Sequence, residues 1–317
     1  MTEPLWAWPA FIAFVVAMLA IDLGVFQRKA HIVKPKEAAF WTVVWVSLSL
    51  LLGLAFHFWL GSEKAVQYIT GYVLEWSLSV DNIFVFVLVF AYFKTPFKYQ
   101  QRVLLWGILG ALVLRGIMIL VGVALIEAFS WILYVFGAFL LFTGLRMLFQ
   151  KGEGEKDLEK NPALRLVRRL MPVSAEYDGQ KFFTVKDGVR MATPLLLVLV
   201  VIEFTDLLFA VDSIPAIFAV TTDGFIVFTA SIMAVLGLRS MYFLLAHVVH
   251  RFVYLKIGLA FILVYIGIKM LIIEVFHIPS LVSLGVVIGI LIVSVVASLL
   301  WGKPQEPPHP EGLPPTA

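Results

Sequence analysis

Six acidic residues stand inside long apolar stretches of this 317-residue chain: Asp22, Glu75, Asp81, Glu203, Asp206 and Asp212. An ionised carboxylate at bilayer depth costs at least about 2.5 to 3.5 kcal/mol on insertion scales, so a group of six must be neutralised by something. Arg115 and Arg239 stand in similar stretches and can each pair with an acid. Six acids against two arginines leave up to four negative charges, which one divalent cation plus protons can balance. The available ligand atoms are oxygens: the carboxylates, the Asn82 amide beside Asp81 and the Ser213 hydroxyl beside Asp212. Such a set suits a hard or borderline ion such as Mg²⁺, Ca²⁺ or Mn²⁺. Glu203 and Asp206, at i and i+3, can share a helix face and act as joint ligands or as proton carriers.

The elements that position these residues follow from composition. Apolar residues make up 61% of the chain and charged residues 14%, with a mean hydropathy of +0.97. That is too little polar surface for a water-soluble particle of this size, so an all-α polytopic membrane protein is expected. Nine apolar runs are long enough to span the hydrocarbon core, at roughly 6–26, 39–60, 66–92, 103–125, 129–149, 192–220, 225–247, 253–275 and 281–301. The chain contains no cysteine, which excludes disulfides, thiolate metal sites and a cysteine nucleophile. No P-loop, nucleophile elbow or HExxH is present, so the chain is read as a non-enzyme, with no nucleic-acid partner and no required cofactor.

Lysines and arginines concentrate in the odd-numbered connections, whereas the even-numbered ones hold only Lys64. The positive-inside rule then places the N-terminus outside and the C-terminus in the cytoplasm. The 150–190 segment carries nine basic and seven acidic residues and reads as a solvated cytoplasmic loop. Within it, the apolar and basic residues of 164–170 predict a short amphipathic helix against an anionic leaflet, and Asp187-Gly188 predicts a small hairpin. The tail after Trp301, with six prolines in sixteen residues, is expected to be disordered. His57, His247 and His250 are read as interfacial anchors rather than ligands.

The third and sixth runs share a pattern. Glu75 to Ile83 aligns with Asp206 to Ile214, Arg115 with Arg239, and GLRML from Gly144 with GIKML from Gly267. The charge count runs the third span inward and the sixth outward, so the repeats are inverted, an arrangement that in secondary transporters places the site between corresponding helices. The expected organisation is two helices in 1–62, repeat 1 in 63–149, a loop in 150–191, repeat 2 in 192–277, a last span in 278–301 and a tail in 302–317. Pro215 and the pairs Asp81-Asn82 and Asp212-Ser213 predict an interruption in both acidic helices. In a continuous helix, Glu75 and Asp81 would lie roughly 120° apart.

The stretches IDLGVFQRKAH from Ile21, LEWSLSVDNIFVF from Leu74 and ATPLLLVLVVIEFTDLLFAVDSIPAIFAV from Ala192 resemble the TerC family of integral membrane proteins, within a lysine-exporter-like superfamily. The resemblance covers essentially every span. It implies export of manganese or a similar divalent cation from a bacterial cytoplasm across the inner membrane, and the family's name refers to tellurium resistance. It also implies that Asp22, Glu75, Asp81, Glu203, Asp206 and Asp212, with Asn82 and Ser213, carry the site. Arg115 and Arg239 would hold the emptied site together, and protons would couple the movement. Residue chemistry alone gives an acidic cation site and leaves open a carrier of amino acids or oxyanions, or a non-transporting scaffold that supports metalloprotein metalation or a stress response. Oligomeric state is left open.

Overall fold

The computed structural model describes residues 6–26, 33, 35–129, 131–149, 162–186, 188–246, 254–273, 275–276 and 278–302. The side chains of 22–26, 80–81, 84 and 186 lie outside that description. Among the described residues, nine long helices match the nine expected spans: α1 (Ala7–Phe26), α2 (Pro35–Leu60), α3 (Ser62–Tyr92), α4 (Phe97–Ala128), α5 (Ile132–Phe149), α7 (Pro194–Phe218), α8 (Gly224–Leu245), α9 (Leu255–Leu271) and α10 (Ser280–Trp301). Six of them (α2, α4, α5, α7, α8 and α10) are long and apolar enough to cross a membrane by length and composition alone. The chain is a polytopic all-α membrane protein. His247 and His250, and the tail from residue 303, lie outside the described residues.

The helices pack as two halves related by a two-fold exchange. α3 packs on α8 as α7 packs on α4, and α3 also meets α7, α4 meets α8 and α5 meets α9. The α5–α9 crossing fixes the direction of the axis. A Cβ on Gly267 would lie 2.8 Å from the Gly137 carbonyl oxygen, and one on Gly144 would lie 2.9 Å from the Ala260 carbonyl oxygen. Gly144 and Gly267 are repeat equivalents, and the same offset relates Gly137 to Ala260, so the two contacts exchange with each other. Residue numbers rise along α5 as they fall along α9, which requires an axis perpendicular to both helices. The three-helix repeats are therefore inverted, with backbones brought close by small residues as membrane helices commonly are. α8 lies innermost, covered by α2, α3 and α4, while α10 exposes Leu281, Val293 and Leu300.

The expected interruptions are absent. α3 runs unbroken through Asp81-Asn82, and α7 runs unbroken through Asp212-Ser213 and Pro215. The energetic balance explains this. Poor helix formers lose at most about 0.7 kcal/mol per residue, whereas a backbone group freed in hydrocarbon costs several. Pro215 removes one amide donor from the turn that precedes it, and the helix continues past it through Ala216, Ile217 and Phe218.

Between α5 and α7 lies a compact extramembrane unit. α6 (Pro162–Leu170) buries Ala163 and Leu164 and presents Arg168 and Arg169 in its last turn. Strands β1 (Phe183–Lys186) and β2 (Val189–Ala192) pair antiparallel with Lys186 opposite Val189, the register of the expected hairpin; Asp187 lies outside the described residues. Gly188 has φ +76°, the left-handed conformation that such turns require. The unit latches onto the α3–α4 connection. The Tyr177 hydroxyl donates to the Phe93 carbonyl at 2.9 Å and lies 3.0 Å from Thr95 Oγ1. Burial pushes the Tyr177 phenol above its ordinary pKa, with the Thr95 bond partly offsetting, so it stays a proton donor. Tyr177→Phe should cost about 1 kcal/mol and speed hydrogen exchange across residues 171–193 without changing it in α8. Unchanged exchange across that unit would show that the latch does not hold it.

Candidate functional site

Helix periodicity decides which polar side chains meet. Seven residues are close to two full turns, so Glu75 and Asn82 share one face of α3, and Asp206 and Ser213 share one face of α7. Arg115 on α4 and Ser231 on α8 complete the cluster, and all six are at most 3% exposed. Arg115 bridges the repeats. Its Nη1 donates to Glu75 Oε2, its Nη2 to Asp206 Oδ1 at 3.1 Å and its Nε to Asp206 Oδ2 at 3.3 Å. The other Glu75 oxygen accepts from Ser213 Oγ at 3.1 Å and from Ser231 Oγ at 3.0 Å. Asn82 Nδ2 donates to Asp206 Oδ1 at 3.2 Å. With both carboxylates ionised, the Glu75–Arg115–Asp206 core carries a net single negative charge.

Two buried oxygens beside this core have no donor among the described residues: Asn82 Oδ1 and Glu203 Oε2. Glu203 lies one turn before Asp206 and rests on α4 where Gly110 leaves the backbone bare. A Cβ at Gly110 would collide with the Glu203 carboxylate. The Asn82 amide therefore gives its hydrogen to Asp206 and leaves its carbonyl oxygen available, as a ligand amide would.

The expected residues separate into three sets. Glu75, Asn82, Asp206, Ser213 and Arg115 come together, with Glu203 alongside. Asp212 does not join them; it faces α5, where Thr143 Oγ1 lies 3.5 Å from its Oδ1 and Arg146 is within electrostatic reach. One residue past Asp212 the unbroken helix has turned about 100°, which is why Ser213 and not Asp212 reaches Glu75. Arg239 lines a space of about 20 Å³ that Asp206 also borders. The side chains of Asp22 and Asp81 lie outside the described residues. Among the described residues there is no group of three or more Asp, Glu, His or Cys placed to hold a metal. Ser231 and Gly110 were not among the expected site residues, and no local sequence signal marks either.

Residues 60–306, which include α3 to α10, match the model of the integral membrane protein TerC family. The chain belongs to the TerC family. An "Uncharacterized membrane protein STKORF319" from Myxococcus xanthus is 55% identical over 296 residues, covering 93% of this chain and 92% of that protein. The "Putative membrane-bound redox modulator Alx" from Escherichia coli K12 is 51% identical over 298 residues, covering 91% and 92%. An "Uncharacterized membrane protein" from Rickettsia bellii is 38% identical over 294 residues. No solved structure matches the chain.

Proposed function

We propose that this TerC-family protein is a secondary transporter that exports a divalent cation, Mn²⁺ being the substrate that the family resemblance implies. The observation that carries the reading is the Glu75–Arg115–Asp206 bridge, which joins equivalent acids of two inverted repeats beside the unpartnered oxygens of Asn82 and Glu203. A pair of buried charges with spare acceptors is expensive as a purely structural device, and intramembrane ionisable groups of this kind mark ion pathways. In this mechanism Glu75 and Asp206 are the anionic ligands, Asn82 and Ser213 supply neutral oxygens, and Glu203 is a further ligand or proton carrier. Arg115 neutralises the acids while the site is empty and yields them when the cation enters. Alternating access moves one repeat against the other around the two-fold axis. Proton antiport supplies the drive against an inside-negative potential, with the extramembrane unit of 162–193 in the cytoplasm.

The name carried by the Escherichia coli relative concerns redox. A chain with no cysteine has no thiol of its own for electron exchange, and moving a redox-active metal is a route by which a membrane carrier would act on redox state.

Proteoliposomes with an internal Mn²⁺-sensitive dye test the proposal. Wild type should give saturable flux, and Glu75→Gln or Asp206→Asn should reduce it at least about 100-fold while remaining monodisperse. Absence of wild-type flux, with and without a pH gradient, would sink the transport reading. Wild-type rates in both variants would remove these carboxylates from it.

A further inference from the structure

On the side of the molecule away from the hairpin, a half-enclosed cavity of about 560 Å³ opens between the start of α3, the end of α4, the α7–α8 connection and the α9–α10 connection. A layer containing Ile119 and Phe218, both in its wall, separates it from the Arg115 cluster one helical turn deeper. Lys269, in the last turn of α9, lines this cavity and is 6% exposed. Its ammonium makes no hydrogen bond or ion pair among the described residues.

Among the described residues, the other charges around Lys269 are engaged or peripheral. Asp223 forms an ion pair with Lys64 and caps α8, accepting from the amides of Phe225 and Ile226 at 3.1 and 3.3 Å. Glu63 accepts from Gln67 Nε2 at 3.3 Å, and Glu127 is exposed. One further feature favours an anion. α3 and α10 begin at this cavity with no side-chain cap, so their first amides are open to an acceptor. Gln67 Oε1, also in the wall, is a buried acceptor with no donor among the described residues; the hydroxyl of a hydrogenphosphate can donate to it, whereas acetate cannot.

We propose that this cavity is a binding site for a small oxyanion, with Lys269 as its charged ligand. It is separate from the acidic cluster and stands whether or not the protein transports a metal. The shared chemistry is a compact, singly or doubly charged group with oxygen acceptors, of phosphate or carboxylate type. A bound anion would neutralise a lysine whose ammonium faces this cavity with no ion-pair partner among the described residues.

Equilibrium dialysis of the purified full-length protein against radiolabelled inorganic phosphate, and separately against acetate, tests this at constant chloride. Wild type should bind one or both saturably, and which of them it binds identifies the source chemistry. Lys269→Met should weaken that binding by about 10- to 100-fold, and Lys269→Arg should retain it. Methionine keeps the length and apolar stem of Lys269 and removes only a charge that makes no ion pair, so the methionine variant should unfold at or above the wild-type temperature. Absence of saturable binding to either probe in wild type, or equal binding by wild type and Lys269→Met, would overturn the assignment.

Discussion

Arg115→Met should be the most damaging single change in the molecule. The guanidinium is 1% exposed and is the bridge between Glu75 and Asp206, so its loss leaves two carboxylates buried without a counter-charge. Breaking a buried pair in this way costs about 3 to 5 kcal/mol, a large share of the roughly 5 to 15 kcal/mol that holds a typical domain. The expected result is a sharp drop in monodisperse protein and in unfolding temperature in detergent. Adding Glu75→Gln and Asp206→Asn removes the uncompensated charge, so the triple variant should recover much of the lost stability and still fail to transport. That pairing separates holding the fold from handling the ion. A single variant that unfolds at the wild-type temperature would show that the bridge does not stabilise the fold.

The second large effect belongs to the α5–α9 crossing. A Cβ added at Gly267 would meet the Leu141 amide nitrogen at 2.6 Å and the Gly137 carbonyl oxygen at 2.8 Å. Backbone atoms cannot rotate away as a side chain can, so the helices must separate. Overpacking of this kind costs about 1 to 3 kcal/mol for Gly267→Ala, and Gly144→Ala, its repeat equivalent, should behave alike. Gly285→Ala on α10 is the control, because nothing lies within 4 Å of the added atom, and it should be neutral or slightly stabilising through helix propensity. Equal unfolding temperatures for Gly267→Ala and Gly285→Ala would refute the close crossing.

The sequence was most informative where one physical constraint dominated. Bilayer thickness alone placed nine helices, and Asp187-Gly188 placed the hairpin, because few residues tolerate the backbone that its turn requires. The acids were found for a related reason: charge inside an apolar run is too expensive to be incidental. Which acids meet was harder to read. Propensity at Asp81-Asn82 and Asp212-Ser213 pointed to interruptions, but hydrogen-bond satisfaction in hydrocarbon outweighs propensity and both helices continue. In a continuous helix the useful spacing is seven, not six, and the pairs Glu75 with Asn82 and Asp206 with Ser213 carried that signal. Asp212 falls on another face for the same reason. Ser231 and Gly110 come from helices whose local sequence says nothing of the site, and only tertiary packing brings them to it.

The bridge also bears on how the two halves of the chain depend on each other. Glu75 and Arg115 lie on consecutive helices, yet α3 and α4 pack on α7 and α8 rather than on each other. The groups that complete their polar shell come from those two helices: Ser213 and Asp206 from α7 and Ser231 from α8. The two repeats thus share one polar interior, and either repeat by itself would leave charged groups facing hydrocarbon.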